Sequence, residues 1–148
     1  MPLVSYNYAS GNRKRMKDAV LFALGIIVPA MSVVTAFYWF CAPDMIRLFM
    51  NNPEIIAYGS RFLQGMCMGL VFLSVDFTAV GVFASLGMGR YSLTFAILRK
   101  VVLEIPLLFL LNFLVPLYGL AYAQCITEVI LAAAAAVMLL RIFRKDSV

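Results

Sequence analysis

Long apolar runs make up most of this chain and restrict it to folds that lie in a membrane. Apolar residues account for 64% of its 148 residues and charged residues for 13%, and the mean hydropathy is +0.97. Soluble domains average about 45–50% apolar and about 25% charged residues. One membrane-spanning helix needs about 20 apolar residues, so this length holds four of them with short connections. The composition therefore predicts an all-α membrane protein, with residues 1–148 forming a single membrane domain.

The four apolar runs predict transmembrane helices whose approximate bounds are set by turn and helix-start signals. The predicted spans cover residues 19–40, 58–86, 91–114 and 120–140. Asn52 followed by Pro53 is typical of a helix start. Gly65 and Gly69 form a small-xxx-small pair that lets another helix approach closely. A tight, uncharged turn is predicted over residues 115–119.

Basic residues lie beside the apolar runs and are concentrated on one predicted side of the membrane. Three clusters occupy the N-terminus, the connection between the second and third spans, and the C-terminus: Arg13, Lys14, Arg15 and Lys17; Arg90; and Arg141, Arg144 and Lys145. The positive-inside rule then predicts cytoplasmic termini at both ends of a multi-pass protein of the cell membrane. Because each cluster adjoins an apolar run, the net charge of +5 indicates attraction to the lipid bilayer and not binding to nucleic acid.

Cysteine and histidine usage excludes several kinds of site. The three cysteines, Cys41, Cys67 and Cys125, lack paired spacing, and the chain has no histidine. This predicts no disulfide framework, no metal site and no histidine-based catalysis. Since the sequence also lacks a nucleophile–base pair and a phosphate-binding loop, we expect no enzyme activity and no cofactor other than a coupling ion.

Five charged residues interrupt the predicted spans at depths where a charge is costly. Asp76 lies in the second span, Arg99, Lys100 and Glu104 lie in the third, and Glu128 lies in the fourth. A charge at the bilayer centre costs about 2.5–3.5 kcal/mol on insertion scales. Helices that only anchor a protein would not retain five of them. These residues therefore predict a protein-lined interior that binds or conducts something polar.

Asp76 is the main candidate for carrying a coupling cation. Its neighbours along the helix are mainly apolar, and no basic residue lies within one helical turn, so its charged form needs a cation or a distant arginine as partner. We therefore interpret Asp76 as a carrier of a proton or a sodium ion. The alternatives are a protonated structural carboxyl group and a partner of Lys100 on another helix.

The remaining polar residues are candidates for a substrate or ion path. Lys100 and Glu104 are four residues apart and share a helix face, where they form either an ion pair that fixes packing or a charged wall of the path. Arg99 lies about 100° around the helix and either snorkels or contacts another helix. Gln124 and Glu128 are also four apart. Gln124 either satisfies Glu128 or a neighbouring helix, or the two line the path.

Four segments of the chain resemble motifs of one transporter family, in the family's order. They are the segment from Pro2 to Asn12; Leu48-Phe49 with Pro53-Glu54-Ile55-Ile56; Leu98-Arg99-Lys100 followed by Glu104-Ile105-Pro106-Leu107; and Gly119-Leu120-Ala121-Tyr122-Ala123-Gln124 followed by Glu128. They are spread along nearly the whole chain, which resembles the multidrug and toxic compound extrusion (MATE) family of cation-coupled transporters.

The resemblance implies a twelve-helix fold of two six-helix lobes, of which this chain supplies the last four helices of the second lobe. The N-terminal lobe and the first helices of the second lobe are then expected partners, either lost from a truncated gene or encoded beside this stretch. In part of the family an aspartate on the tenth helix helps bind the coupling cation, and Asp76 falls at that position. Phe72 stands one turn earlier, where the family site has a tyrosine, so one hydroxyl ligand is missing.

The resemblance also implies a function. The chain would be part of an efflux antiporter, driven by protons or sodium ions, that exports organic, cationic or amphipathic, drug-like compounds. Four helices of one lobe lack the opposing wall that alternating access needs, so we expect the chain to be inactive alone. The alternative is a small independent four-helix exporter or pore subunit that oligomerises. A third hypothesis is that the chain is a structural or assembly protein that does not transport.

Overall fold

Every regular element of the described residues is helical, which confirms the predicted all-α fold. The structure is a computed structural model, and it describes residues 1–115 and 118–145, with only the backbone of residue 145. Its elements are α1 (Pro2–Ala9), α2 (Arg13–Arg47), α3 (Pro53–Cys67), α4 (Leu70–Ser85), α5 (Gly89–Ile97), a π-helical segment (Leu98–Glu104), α6 (Ile105–Leu114) and α7 (Gly119–Lys145). The predicted turn at 115–119 and the end of the predicted domain at 148 lie partly outside the described residues.

The first predicted span lies within α2, which is longer than predicted at both ends. The Asn12 side chain accepts a hydrogen bond from the Arg15 N–H group at 3.2 Å and caps the start of the helix. At the other end the helix continues through Pro43 to Arg47, past the end of the apolar run. The ion pair between Asp44 and Arg47, 3.3 Å long, spans the last turn and supports this extension.

The second predicted span is divided into α3 and α4, which meet at Met68 and Gly69. The predicted helix start is present: the Asn52 side chain accepts a hydrogen bond from the Glu54 N–H group at 3.0 Å, and Pro53 is the first helical residue. Met68 and Gly69 keep right-handed helical backbone angles. The two helices therefore follow each other through one irregular turn and form a nearly continuous run.

The glycine pair that was predicted to permit close helix contact faces α7. A Cβ atom added to Gly65 would lie 3.1 Å from the Cβ of Ala121, and one added to Gly69 would lie 3.5 Å from the Cα of Cys125. The same added atom on Gly69 would lie 3.7 Å from the Cγ of Glu128. The two small residues therefore bring the acidic residue of α7 directly against the second span.

The third predicted span is one helical run with the π-helical segment at its centre. The Ile105 N–H group donates to the carbonyl oxygen of Lys100, five residues earlier, where an α-helix would use the residue four earlier. We attribute this to Pro106, whose ring would clash with the carbonyl four residues before it in a regular helix and which has no N–H group to donate. One extra residue in the turn relieves the clash. The segment so formed carries Arg99 and Glu104 as well as Lys100.

Three helical runs among the described residues are long and apolar enough to cross a membrane. They are Arg13–Arg47, Pro53–Ser85 and Gly119–Arg144. The predicted third span is not among them, because every 18-residue stretch of it contains the three charged residues Arg99, Lys100 and Glu104. Taken as one helical run from Gly89 to Leu114, it has the length that a bilayer requires.

The buried core lies where α4 packs against α2, α5 and α7. Ala79, Val82 and Phe83 of α4 are fully buried, and the rings of Phe83 and Phe95 have their centres 5.5 Å apart. Many large apolar side chains on the outer surface are exposed, Phe113 at 86% being an extreme, as expected of helices that face lipid. The acidic residue near the centre of α4 lies on the side of the helix that packs against other helices and is removed from the surface.

Candidate functional site

A buried group of charged residues joins α4, the π-helical segment and α7. Arg99 contacts two carboxylates: its Nη1 lies 3.4 Å from Oδ2 of Asp76, and its Nη2 lies 3.0 Å from Oε1 of Glu128. The side chains of Asp76 and Glu128 are 2% and 1% exposed, and that of Arg99 is 14% exposed. Three predicted site residues from three separate spans therefore meet in the Asp76–Arg99–Glu128 cluster, in which Arg99 contacts other helices and does not snorkel to the surface.

Hydrogen bonds within α4 leave Asp76 dependent on Arg99 for a partner. The nearby Ser74 hydroxyl donates to the Val71 carbonyl oxygen at 2.6 Å, and the Thr78 hydroxyl donates to the Ser74 carbonyl oxygen at 2.7 Å. Both hydroxyl groups thus bond to their own helix, as is common for Ser and Thr inside helices. The Asp76 carboxylate accepts its hydrogen bond from Arg99 instead.

Lys100 and Glu104 form the expected ion pair on another face of the third span. The Lys100 Nζ lies 2.7 Å from both carboxylate oxygens of Glu104. The Lys100 side chain is 64% exposed and that of Glu104 is 20% exposed. The alternative in which Lys100 neutralises Asp76 is therefore wrong. Arg99, one residue earlier, is directed to the interior, and Lys100 is directed outward.

Gln124 lies one helical turn before Glu128 but is not its partner in the described part of the chain. The Gln124 side chain is half-buried, whereas the Glu128 carboxylate pairs with Arg99. A guanidinium group is the stronger partner because its interaction with a carboxylate is charge-assisted. The role of Gln124 on a substrate or ion path stays a prediction.

Phe77 is a part of this site that the sequence analysis missed. The Arg99 guanidinium carbon lies 4.5 Å from the centre of the Phe77 ring, which is a cation–π contact. Phe77 itself is 56% exposed, so its ring covers the guanidinium group on the side away from the core. In the sequence Phe77 is marked only by its position next to Asp76. Its contact with Arg99 could not be predicted without knowing how the helix that carries Arg99 packs.

With both carboxylates ionised, the Asp76–Arg99–Glu128 cluster carries one surplus negative charge. Asp76 Oδ1, Glu128 Oε2 and Arg99 Nε have no hydrogen-bond partner among residues 1–115 and 118–145. An uncompensated buried charge is costly, so the cluster favours the uptake of one positive charge. Carboxylate oxygens also suit hard cations. A proton or a small monovalent cation would neutralise the surplus charge of the cluster.

A separate cavity lies between α5 and α7. Its volume is about 770 Å³, and its lining is apolar apart from the side chains of Tyr91 and Arg141. None of the three residues of the Asp76–Arg99–Glu128 cluster lines it. The charged cluster is therefore packed between helices and does not open into this cavity.

Comparison with known proteins connects the chain with one family. The MatE family model matches residues 1–110. The chain is 30% identical over 135 residues to the multidrug export protein MepA of Staphylococcus saprophyticus, and 33% identical over 140 residues to that of Staphylococcus aureus strain MRSA252. Each alignment covers 91% of this chain and 30% of the relative. The chain thus spans less than one third of the length of these relatives.

Solved structures share the helical arrangement. An outward-facing multidrug resistance MATE family transporter superimposes with a TM-score of 0.89 at 20% identity, which covers 97% of this chain and 33% of that one. An inward-facing structure gives a TM-score of 0.82 at 19% identity, over 99% of this chain and 35% of that one. At such low identity the likeness concerns the fold alone.

Proposed function

The chain belongs to the MatE family, and from this premise we propose that it is part of a cation-coupled multidrug efflux antiporter. The family makes it a multi-pass membrane protein, and the relatives it matches are multidrug export proteins. The proposed substrates are organic compounds of cationic or amphipathic character, and the proposed location is the cell membrane. The proposed role is transport and not catalysis.

The single observation that carries the coupling part of this proposal is the charge of the Asp76–Arg99–Glu128 cluster. Two carboxylates share one guanidinium group in a buried position, so one positive charge is needed for neutrality. Ionisable residues inside membrane helices commonly mark ion or proton pathways. Asp76 is the proposed carrier because its contact with Arg99 is the longer of the two. The coupling ion is a proton or Na⁺.

The proposed transport requires more helices than this chain contains. Alternating access works by rocking one half of a transporter against another around a central site. The chain covers 30% of its relatives, and its helices would form part of one wall. We therefore propose that the remaining helices of a transporter of this kind are its partners and that the chain alone does not transport. The basic clusters around Arg13, Arg90 and Arg141 support a topology with both termini in the cytoplasm.

A chimera tests this proposal. The stretch of the Staphylococcus aureus relative that aligns with this chain is replaced by this chain, and the chimera is expressed in cells that lack other multidrug exporters. We expect energised efflux of a fluorescent cationic dye. Asp76→Asn should abolish it, because the amide carries no exchangeable charge, while the matched surface variant Glu54→Gln should retain it. Membrane levels of all variants are measured by immunoblot.

The outcomes separate the competing functions. The 148-residue chain expressed alone should leave dye retention at the level of the empty vector. Energised efflux by the chain alone would favour the alternative of an independent oligomeric exporter. Full efflux by the Asp76→Asn chimera would contradict a coupling role for Asp76.

A further inference from the structure

The two contacts of Arg99 are unequal in length. Its Nη2 lies 3.0 Å from Glu128 Oε1, close to the distance of a charge-assisted hydrogen bond, whereas its Nη1 lies 3.4 Å from Asp76 Oδ2. The tighter ion pair is therefore Arg99 with Glu128. If those two residues neutralise each other, the surplus negative charge of the cluster resides on Asp76.

We propose that Glu128 is a positioning residue that keeps Arg99 occupied, so that the charge of Asp76 stays available to an exchangeable cation. This inference rests on the proposed function of Asp76 as the coupling carboxylate. Without Glu128, the guanidinium group would belong to Asp76 alone. A permanent partner of that kind would compete with any proton or Na⁺.

Neighbouring residues hold both Glu128 and Arg99 in place. Glu128 is held where α7 approaches Gly69, with its Cγ 3.7 Å from the position of a Cβ on that glycine. Arg99 also contacts the Phe77 ring, with its guanidinium carbon 4.5 Å from the ring centre. The side chain of Glu128 is 1% exposed and that of Arg99 is 14% exposed, so both lie mainly against other helices and not in solvent.

Few other charges face Asp76 from the helices packed around α4. Helix α1 has no charged residue, α2 has none between Asp18 and Asp44, and the charged residue of α5 is Arg90 at its exposed start. Besides Glu128, α7 carries Arg141, Arg144 and Lys145, which lie more than three turns further along the helix. The π-helical segment adds Glu104, which is 20% exposed, is paired with Lys100 and is close enough to Glu128 to interact with it electrostatically. The balance at Asp76 is therefore set by Arg99 and Glu128.

The test is infrared difference spectroscopy of carboxyl groups on the purified 148-residue chain in detergent. Spectra are recorded between acidic and neutral pH, and between NaCl and choline chloride at fixed pH, so that protons and Na⁺ are separate probes. Bands that vanish in Asp76→Asn report on Asp76. The variants compared are Glu128→Gln, the double variant Arg99→Gln/Glu128→Gln, and Glu54→Gln as the matched surface control.

In Glu128→Gln we expect the Asp76 response to protons and Na⁺ to be largely lost, because an arginine without a competing carboxylate then keeps Asp76 charged and paired. The double variant removes Arg99 as well, so the Asp76 response should return. The Glu54→Gln spectra should match wild type. Recovery of the Asp76 response in the double variant is the decisive observation. If Glu128 acted only through packing, a second substitution at Arg99 would not restore that response.

Each other result counts against the proposal. An unchanged Asp76 response in Glu128→Gln would overturn it and leave the coupling role of Asp76 intact. A loss in Glu128→Gln without recovery in the double variant would also overturn it, because Glu128 would then act by packing. A wild-type chain without any Asp76 response to protons or Na⁺ would overturn the proposed function together with this inference.

Discussion

Phe77 and Arg99 lie face to face, with the guanidinium carbon 4.5 Å from the centre of the ring. Phe77 belongs to α4 and Arg99 to the π-helical segment, so this contact joins the second and third spans. Arg99 also pairs with Glu128 of α7. The Arg99 side chain thus links three spans. It therefore affects both the stability of the helix packing and the charge balance of the Asp76–Arg99–Glu128 cluster.

Replacing Phe77 by leucine should lower the free energy of unfolding by about 0.5–2 kcal/mol, because the cation–π contact is lost while apolar cover remains. Denaturant unfolding in detergent, followed by circular dichroism, measures the change. Phe72→Leu is the matched control on the same helix: Phe72 is 39% exposed, and the described residues give it no cation to contact. Equal decreases in the free energy of unfolding of the two variants would show that the contact between Phe77 and Arg99 does not contribute to stability.

Replacing Arg99 by alanine should lower the free energy of unfolding far more than replacing its neighbour Lys100 by alanine. Arg99→Ala leaves two buried carboxylates without their cation, which costs about 3–5 kcal/mol when one partner of a buried pair is removed. Lys100→Ala removes a largely exposed ion pair, worth about 0–1 kcal/mol. The same unfolding measurement compares them. Similar destabilisation of both variants would contradict the placement of Arg99 in the interior.

Valine at Gly65 should separate α3 from α7. A Cβ there would lie 3.1 Å from the Cβ of Ala121, so the two helices must move apart, at a cost of about 1–3 kcal/mol for overpacking. Gly25→Val is the control, because a Cβ on that helical glycine meets nothing within 4 Å, and the intrinsic cost of valine in a helix is the same. Unfolding of Gly65→Val at the same denaturant concentration as Gly25→Val would refute the close contact.

Cysteine labelling tests the proposed topology. In a chain with Cys41, Cys67 and Cys125 replaced by alanine, a single cysteine is introduced at Ser10 or at Asn51. A membrane-impermeant maleimide should label Asn51→Cys in intact cells and label Ser10→Cys only after the membrane is permeabilised, because basic residues favour the cytoplasmic side. The reverse pattern would invert the orientation.

The sequence pattern predicted best those features that depend on one helix alone. The spacing of Lys100 and Glu104 sufficed to predict their ion pair, and Asn52 with Pro53 sufficed to predict a helix start, because both follow from local geometry. Gly65 and Gly69 indicated a close helix contact but not which helix makes it. The structure identifies α7 as that helix.

The Asp76–Arg99–Glu128 cluster could not be predicted as a unit. Its members come from three spans, and the pairing depends on how those spans rotate against one another. The π-helical segment adds to the difficulty, since the extra residue before Pro106 changes the direction of every side chain beyond it relative to a regular helix. Asp76 was expected to need a distant arginine or a cation, and only the packed helices show that Arg99 is that arginine.

The proposed function requires that the Asp76–Arg99–Glu128 cluster holds one exchangeable positive charge on Asp76. The most direct measurement counts the protons and sodium ions bound per purified chain around neutral pH, where ordinary carboxyl groups stay ionised, in wild type and in Asp76→Asn. We predict that the wild-type chain binds one more proton or sodium ion than the variant. Equal counts in both proteins would contradict the claim.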